Sequence, residues 1–311
     1  MIAFGPVPSR RLGRSLGINN IPAKTCSYSC VYCQLGHTHP MRVRRGAFYP
    51  AARVVGEVRE AVAAAERSGE GIDYLTFVPD GEPTLDAGLG EAVDGVRDLG
   101  IPVAVITNAS LLWDEEVRRA LQRAQWVSVK IDATAEEVWR RVDRPHGALR
   151  LPAIREGLLA FAAEYTGTLV TETMLVAGLN DGQAALEGVA EWCAALQPQC
   201  AYVSVPLRPP AEAWARRPEE GAIVRAYHIL AQAVGRVECL VGHEEGAFGA
   251  LGEAAAGLLD ITAVHPMRRD AVEAYLARAG GEWSVVVDLM QEGALLETHY
   301  DGVTFYSKRL R

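Results

Sequence analysis

Three cysteines offer the strongest chemistry in this chain. Cys26-Ser-Tyr-Ser-Cys30-Val-Tyr-Cys33 sets them at C-x3-C-x2-C spacing, close enough for three thiolates to reach one inorganic centre. Three thiolates hold three irons of a cubane and leave the fourth iron open. Electron-transfer clusters are closed by four cysteines, and structural zinc sites by four donors. The triplet therefore points to a cluster that accepts an outside ligand. His37 and His39 lie near enough to complete a zinc site instead. Zinc loops, however, pair C-x2-C with a second, distant pair, which His37 and His39 do not form.

Further candidates stand where apolar runs end in polar groups. Tyr74–Val78 leads into Asp80-Gly81-Glu82-Pro83-Thr84. Glycine lets backbone approach a ligand, and Glu82 or the exposed carbonyls accept from an ammonium. The plainer reading is a strand-to-helix turn with proline at its first helical position. Val103–Thr107 is followed by Asn108 and Ser110, placed to meet a carboxylate or substrate, or to cap a helix before Trp113. Trp126-Val-Ser128-Val-Lys130-Ile-Asp132 alternates strictly, so period two puts Ser128, Lys130 and Asp132 on one face. With the apolar face packed on helices, that polar face turns inward. A lysine and an acid there are costly unless paired with each other or bound to a ligand. Glu172 sits in mid-strand, unusual for a core position. Asn180 and Asp181 read as a cap for the next helix, and Arg208 is placed to hold a carboxylate or phosphate or to sit in a surface turn.

The elements that must position these groups alternate. β-rich runs are expected at Ser15–Ile21, Tyr74–Val78, Val103–Thr107, Trp126–Ile131, Thr168–Val176 and Ala201–Val205. Helical patterns lie between them at Ala52–Arg67, Ala87–Leu99, Asp114–Arg123, Ile154–Ala163 and Asp181–Leu196. Six strands and five helices in alternation predict a parallel β/α array that right-handed crossovers curl toward a barrel. Function in such an array gathers at the C-terminal ends of the strands. Past residue 236 the pattern changes. A Gly- and acid-rich loop, Gly242-His-Glu-Glu-Gly-Ala-Phe-Gly, precedes helical stretches near Leu251–Leu259, Asp270–Ala279 and Val285–Gln291. Two alternating runs, Leu295–His299 and Val303–Ser307, follow, joined at Asp301-Gly302 as a two-residue hairpin. Three helices and a hairpin resemble a winged helix-turn-helix. The division expected is 1–236 and 250–311.

Composition limits the partners. The chain has 311 residues and a net charge of −8, from 31 Lys+Arg against 39 Asp+Glu, which argues against a uniformly basic nucleic-acid binder. Basic groups do appear at Arg10, Arg11 and Arg14, at Arg42, Arg44 and Arg45, and at Lys308, Arg309 and Arg311. Brought together they would suit a phosphate-rich substrate; apart, they are solvated surface residues. Only Lys24, Lys130 and Lys308 are lysines. No signal peptide and no apolar run of membrane-spanning length is evident, so the expected compartment is the cytoplasm. Cysteines there are metal ligands or catalytic groups more often than disulfides. Cys193, Cys200 and Cys239 have no compact spacing and read as buried free thiols, with an auxiliary cluster as the alternative.

C-x3-C-x2-C with an aromatic, Tyr32, just before the third cysteine resembles the radical S-adenosylmethionine (SAM) superfamily signature. The opening Phe4-Gly-Pro-Val-Pro-Ser-Arg-Arg-Leu-Gly, with Lys24-Thr-Cys26 and Cys33-Gln-Leu-Gly36, is similar to its wyosine-synthase-like branch of tRNA-modifying Fe–S oxidoreductases. That likeness spans about the first 235 residues. It implies a partial (β/α)6 radical SAM barrel with a [4Fe–4S] cluster on Cys26, Cys30 and Cys33. SAM would be reductively cleaved there to a 5′-deoxyadenosyl radical that abstracts hydrogen from a substrate. It further implies SAM contacts from Tyr32, Gly81, Glu82, Ser128 and Asp132, substrate or carboxylate contacts from Lys130 and Asn108, and a reducing protein such as flavodoxin or ferredoxin. Wyosine synthases carry further cysteines ahead of the triplet, whereas this chain has none, which argues against wyosine-base formation. They also hold pyruvate on a lysine, a role for which Lys130 and Lys24 are the candidates. The substrate implied is an RNA base, with a peptide or protein as the alternative. A non-enzymatic Fe–S or zinc regulator with a DNA-binding wing leaves Gly81-Glu82 and the Ser128–Lys130–Asp132 face unexplained.

Overall fold

The computed structural model describes residues 2–242, 248–249 and 253–309. An antiparallel hairpin opens the fold, β1 (Ala3–Ser9) with β2 (Gly13–Ile18). Alternation follows: α1 (Ala51–Arg67), β3 (Tyr74–Phe77), α2 (Leu89–Arg97), β4 (Val103–Thr107), α3 (Glu115–Leu121), β5 (Trp126–Lys130), α4 (Glu136–Val142), α5 (Leu151–Glu164), β6 (Thr168–Met174), α6 (Gln183–Leu196), β7 (Cys200–Ser204), α7 (Glu220–Ala233) and β8 (Val237–Leu240). The strands lie in one sheet in the order β1 to β8, parallel from β2 onward. It is an α/β fold whose sheet curls into a half-barrel.

Two apolar layers hold it. On the outer face, Val103, Val105, Val127 and Val129 meet helix residues such as Val54, Val58 and Val62 of α1, spaced four apart on one stripe. On the inner face, Ala104, Trp126, Val170, Cys200 and Tyr202 fill the floor of the half-barrel. Period two then turns Ser128 and Lys130 of β5, Glu172 of β6 and Ser204 of β7 inward above that floor. The same alternation thus yields an apolar plug at the N-terminal ends of the strands and a polar mouth at their C-terminal ends.

Eight strands stand where six were expected. β1 contains Gly5, Pro6 and Pro8, a composition that argues against a strand interior; it is tolerated because β1 lies at the sheet edge. β8 is the other edge and has only four residues, too few for a clear period. Helices α4 and α7 were also not expected. α4 is a short segment that buries only Trp139 and Val142. Asn180 and Asp181 do not cap α6, whose N-cap is Gly182. Instead, buried Asn180 donates to the carbonyls of Asp132 and Met174 and accepts from Val176 N, tying β6 to the end of β5.

The remaining chain forms α8 (Ala254–Val264), β9 (Met267–Arg268), α9 (Arg269–Ala279), α10 (Ser284–Gln291), β10 (Leu295–Tyr300) and β11 (Val303–Lys308), with an antiparallel sheet in the order β10-β11-β9. The hairpin turn is as read from the sequence: Tyr300 pairs with Val303, and Asp301 and Gly302 both have positive φ. Leu251, His243–Ala247, Leu310 and Arg311 lie outside the described residues. The core of this unit, including Leu258, Ile261, Tyr275, Leu276 and Tyr306, also takes in Phe4 and Val7 of β1.

Candidate active site

The three cysteines lie on the β2–α1 connection, which crosses the C-terminal ends of the strands. Backbone bonds fix it on two sides. Lys24 N donates to Asp80 O and Glu82 N donates to Thr25 O, while Ser29 N and Val31 N donate to the carbonyls of Asp143 and Val142. Gly81 is needed for the first of these seams, because an added Cβ would collide with the Thr25 carbonyl. Its small size admits the cysteine loop. Glu82 is buried, and its carboxylate is taken up by the Thr84 N–H and hydroxyl, the Thr107 hydroxyl and Asn108 N. It caps the short 3-10 turn Pro83–Leu85, as the plainer reading expected, and thereby holds the β3 and β4 ends together.

Side chains complete the bracing. Asn108 Nδ2 donates to Ser27 Oγ (3.0 Å) and to Cys26 Sγ (3.6 Å). Neither Asn108 nor Ser110 caps α3, whose cap is Asp114. Cys30 Sγ donates to Asp143 Oδ1 (3.5 Å), and the Tyr32 hydroxyl donates to Asp132. Burial, followed by the Glu82 charge, pushes the Cys26 thiol up to about 12. Burial likewise raises Cys30 and Cys33. Buried among these groups, the Asp143 carboxyl is pushed well up by desolvation and by neighbouring Asp132. A thiol must lose its proton to ligate iron, and burial makes that loss harder at all three positions.

Beside Cys33 opens a cavity of about 320 Å³, within the range of small-molecule sites. Tyr32, Lys130, Glu172 and Met174 line it from the barrel, Arg11 from the β1–β2 turn, and Val264 and His265 from the C-terminal unit. Glu172 is its ionic hub. It accepts from Arg11, from Lys130 Nζ (3.3 Å) and from Ser204 Oγ (3.0 Å). Burial pushes this carboxyl up, but Arg11 and Lys130 outweigh it and hold it well below the usual range. Burial pulls the Lys130 ammonium down, and Glu172 and Asp132 more than reverse that. Lys130 therefore stays a cation, 4.9 Å from the Tyr32 ring centroid, and its ion-pair partner is Glu172 rather than Asp132. Ser128 Oγ is buried with no hydrogen-bond partner among the described residues.

Of the residues singled out from sequence, Tyr32, Cys33, Lys130, Glu172 and Arg208 meet at this cavity. Asn108, Gly81, Glu82 and Asp132 brace the cysteine loop or its neighbours and are not among the residues lining this cavity. Arg208 donates to Gln34 Oε1 and to His265, while Gln34 Nε2 donates to Val264 O (2.7 Å). Arg11, Asp143, Gln34 and His265 were missed as site residues. Arg11 and Asp143 act across more than 100 residues of chain, a pairing that no local spacing announces. Among the described residues, no three His, Cys, Asp and Glu side chains, the cysteine triplet included, converge closely enough to hold an ion as they stand, and His37 and His39 are exposed. No described helix is long and apolar enough to cross a membrane.

A curled β/α sheet, with a C-x3-C-x2-C loop across its mouth and a polar cavity beside the third cysteine, defines a radical SAM enzyme. The Radical SAM superfamily description matches residues 20–186, and the chain belongs to that superfamily, whose enzymes use a [4Fe–4S] cluster and S-adenosylmethionine. The chain is 41% identical over 312 residues to the UPF0026 protein MJ1312 of Methanocaldococcus jannaschii, covering all of this chain and 97% of that protein. Its fold is similar to that of TYW1 solved with a lysine–pyruvate adduct bound, with a TM-score of 0.56 at 14% identity over 71% of this chain and 74% of that one. It is also similar to a radical SAM methyltransferase from Sphaerobacter thermophilus, with a TM-score of 0.54 at 18% identity over 74% and 67% of the two chains.

Proposed function

We propose that Cys26, Cys30 and Cys33 hold the cluster and that the adjoining cavity takes S-adenosylmethionine and the substrate. The observation that carries this reading is the three-thiol loop, locked on two sides and opening through Cys33 onto a 320 Å³ cavity. When bound, the cofactors supply reductive cleavage of the sulfonium C–S bond and, from it, a hydrogen-abstracting 5′-deoxyadenosyl radical. The chain's own residues position and shield. Tyr32 and Ser128 are the direct cofactor contacts, and Asp132 orients Tyr32. Gly81 and Glu82 shape the turn against the loop. Lys130 faces the substrate as a cation, and the Asn108 amide N–H reaches Cys26 Sγ, a bond type that tunes cluster potential.

For the substrate we propose an RNA base, following the wyosine-synthase-like opening stretch. The cavity supports an anionic partner, since Arg10, Arg11, Lys130 and Arg208 line it against one acid, Glu172. The C-terminal unit, with the order α-β-α-α-β-β, is winged-helix-like in this reading, and the chain divides near the expected 1–236 and 250–311 into catalytic and docking parts, with the catalytic part extended by β8 to Leu240. The enzyme belongs in the reducing cytoplasm, where the buried Cys193 and Cys200 thiols and Cys239, exposed rather than buried as expected, stay unpaired. The test is anaerobic reconstitution followed by incubation with S-adenosylmethionine and dithionite. Formation of 5′-deoxyadenosine by the parent but not by Cys30→Ser is expected. Turnover without iron, or zinc bound at the triplet, would overturn it. Salt-dependent retention of tRNA supports the RNA reading; its absence, with a peptide consumed instead, refutes it.

A further inference from the structure

Charge is divided very unevenly along this chain. Residues 1–56 hold eight Lys and Arg and not one Asp or Glu, a net +8 that leaves −16 on the other 255 residues. That acid-free stretch includes the cysteine loop and the segment that follows it. Residues 36–42 lie directly against the cysteines. Gly36 N donates to Cys33 O (3.0 Å), Arg42 N donates to Cys26 O (2.9 Å), and Thr38 N donates to Ser29 Oγ (3.0 Å). These bonds fasten the segment to the partly exposed cysteine loop. Its outward residues, His37, His39, Arg42 and Arg44, are all exposed, whereas none of residues 36–45 lines the cavity beside Cys33.

Nearby carboxylates do not neutralise it. Glu212 is engaged with Arg144, Glu116 pairs with Arg45, and Asp143 is buried on the inner side. The Arg42 guanidinium lies 5.2 Å from the Phe48 ring centroid, which holds it at the surface without cancelling its charge.

We propose that the 36–44 segment is the docking surface for an acidic one-electron donor protein, a reduced flavoprotein or ferredoxin with a negative face. The proposal rests on the cluster assignment above. Geometry favours this partner over a nucleic acid. A substrate has to bring its reacting atom into the cavity, which this face does not border, whereas an electron needs only the short path from this face through the backbone bonded to Cys26 and Cys33. The step balances simply: the reduced donor loses one electron, the oxidised cluster gains it, and no covalent bond forms or breaks. Complementary charge on the two faces raises the encounter rate and makes it depend on salt.

The test uses the reconstituted full-length enzyme and two reductants, dithionite and a flavodoxin kept reduced by its reductase and NADPH. Arg42→Glu with Arg44→Glu should lower flavodoxin-driven 5′-deoxyadenosine formation about tenfold at low salt and abolish its salt dependence. Dithionite-driven formation should match the parent. Arg44→Gln, which spares the Arg42–Phe48 contact, should give a smaller loss in the same direction. Equal flavodoxin-driven rates in parent and variants would overturn the docking surface. A variant that loses RNA retention while keeping its flavodoxin-driven rate would overturn it too, by marking the face as a nucleic-acid contact. Failure of the parent itself with dithionite would fall on the cluster assignment, and the two failures are thereby told apart.

Discussion

The half-barrel and the C-terminal unit are held together in different ways. The half-barrel fills its outer layer with its own valines and leucines and its floor with Trp126, Val170 and Tyr202. The C-terminal unit places residues of β1, Phe4 and Val7, inside its own core, with Val78 from the end of β3 against it. The half-barrel mouth is organised by ions and hydrogen bonds, whereas the seam between the two units adds polar bridges, such as Gln34 to Val264 O and the Arg278–Glu70 ion pair, to an apolar contact. A unit that shares its core with the first strand is a fixed wall of the cavity, and Val264 and His265 stand in that wall.

The sharpest way to break this contrast is to remove residues 253–309. Phe4 and Val7 would then face water, and the truncated chain should be insoluble or melt without cooperativity. Cooperative melting at the parental temperature would show that the units are independent. Phe4→Ala is milder and should cost about 3–5 kcal/mol by chemical denaturation. Both units should unfold in one transition, since the residue belongs to both; two separated transitions would count against the shared core. Glu172→Gln probes the ionic mouth. It strands two cations, but Arg11 and Lys130 keep 17% and 20% exposure, so about 3 kcal/mol, the low end for a broken buried pair, is expected.

Asp80 bears on the seam, with the Lys24 and Lys308 charges beside it. Burial raises its carboxyl from 3.8 to about 6. The folded state then holds the proton more tightly than the unfolded chain. The stability this contributes is full below pH 3.8, is lost as pH rises to about 6, and stays lost above. Asp80→Asn should flatten that decline and stabilise the protein at pH 7 by at most about 3 kcal/mol, read from denaturation midpoints across pH. The smallest effect belongs to Gln34→Ala. It removes the bonds to Val264 O and Arg208, for about 1 kcal/mol, and a larger loss would mean that this polar bridge carries the seam.

Much of this architecture was legible in sequence because it is periodic. β4 was expected at its observed bounds, and the strict alternation of β5 placed Ser128 and Lys130 on the inner face. The cysteine spacing and the Asp301-Gly302 turn are local and were legible for the same reason. What escaped depends on distant partners. Glu172 looked out of place until Arg11, 161 residues away, stood beside it. Gly81 and Glu82 were noticed for the turn they form, but their contacts to Thr25, Thr107 and Asn108 join residues far apart in sequence. β1 was hidden by prolines that only an edge position tolerates.

The shared core also orders events in time. Phe4 and Val7 leave the ribosome about 240 residues ahead of Phe248 and the helices that bury them. At about 5–20 residues per second, the nascent chain exposes its cysteine loop for tens of seconds before the last wall of the chamber is made. Until then the side of the cavity lined by Val264 and His265 is not yet made.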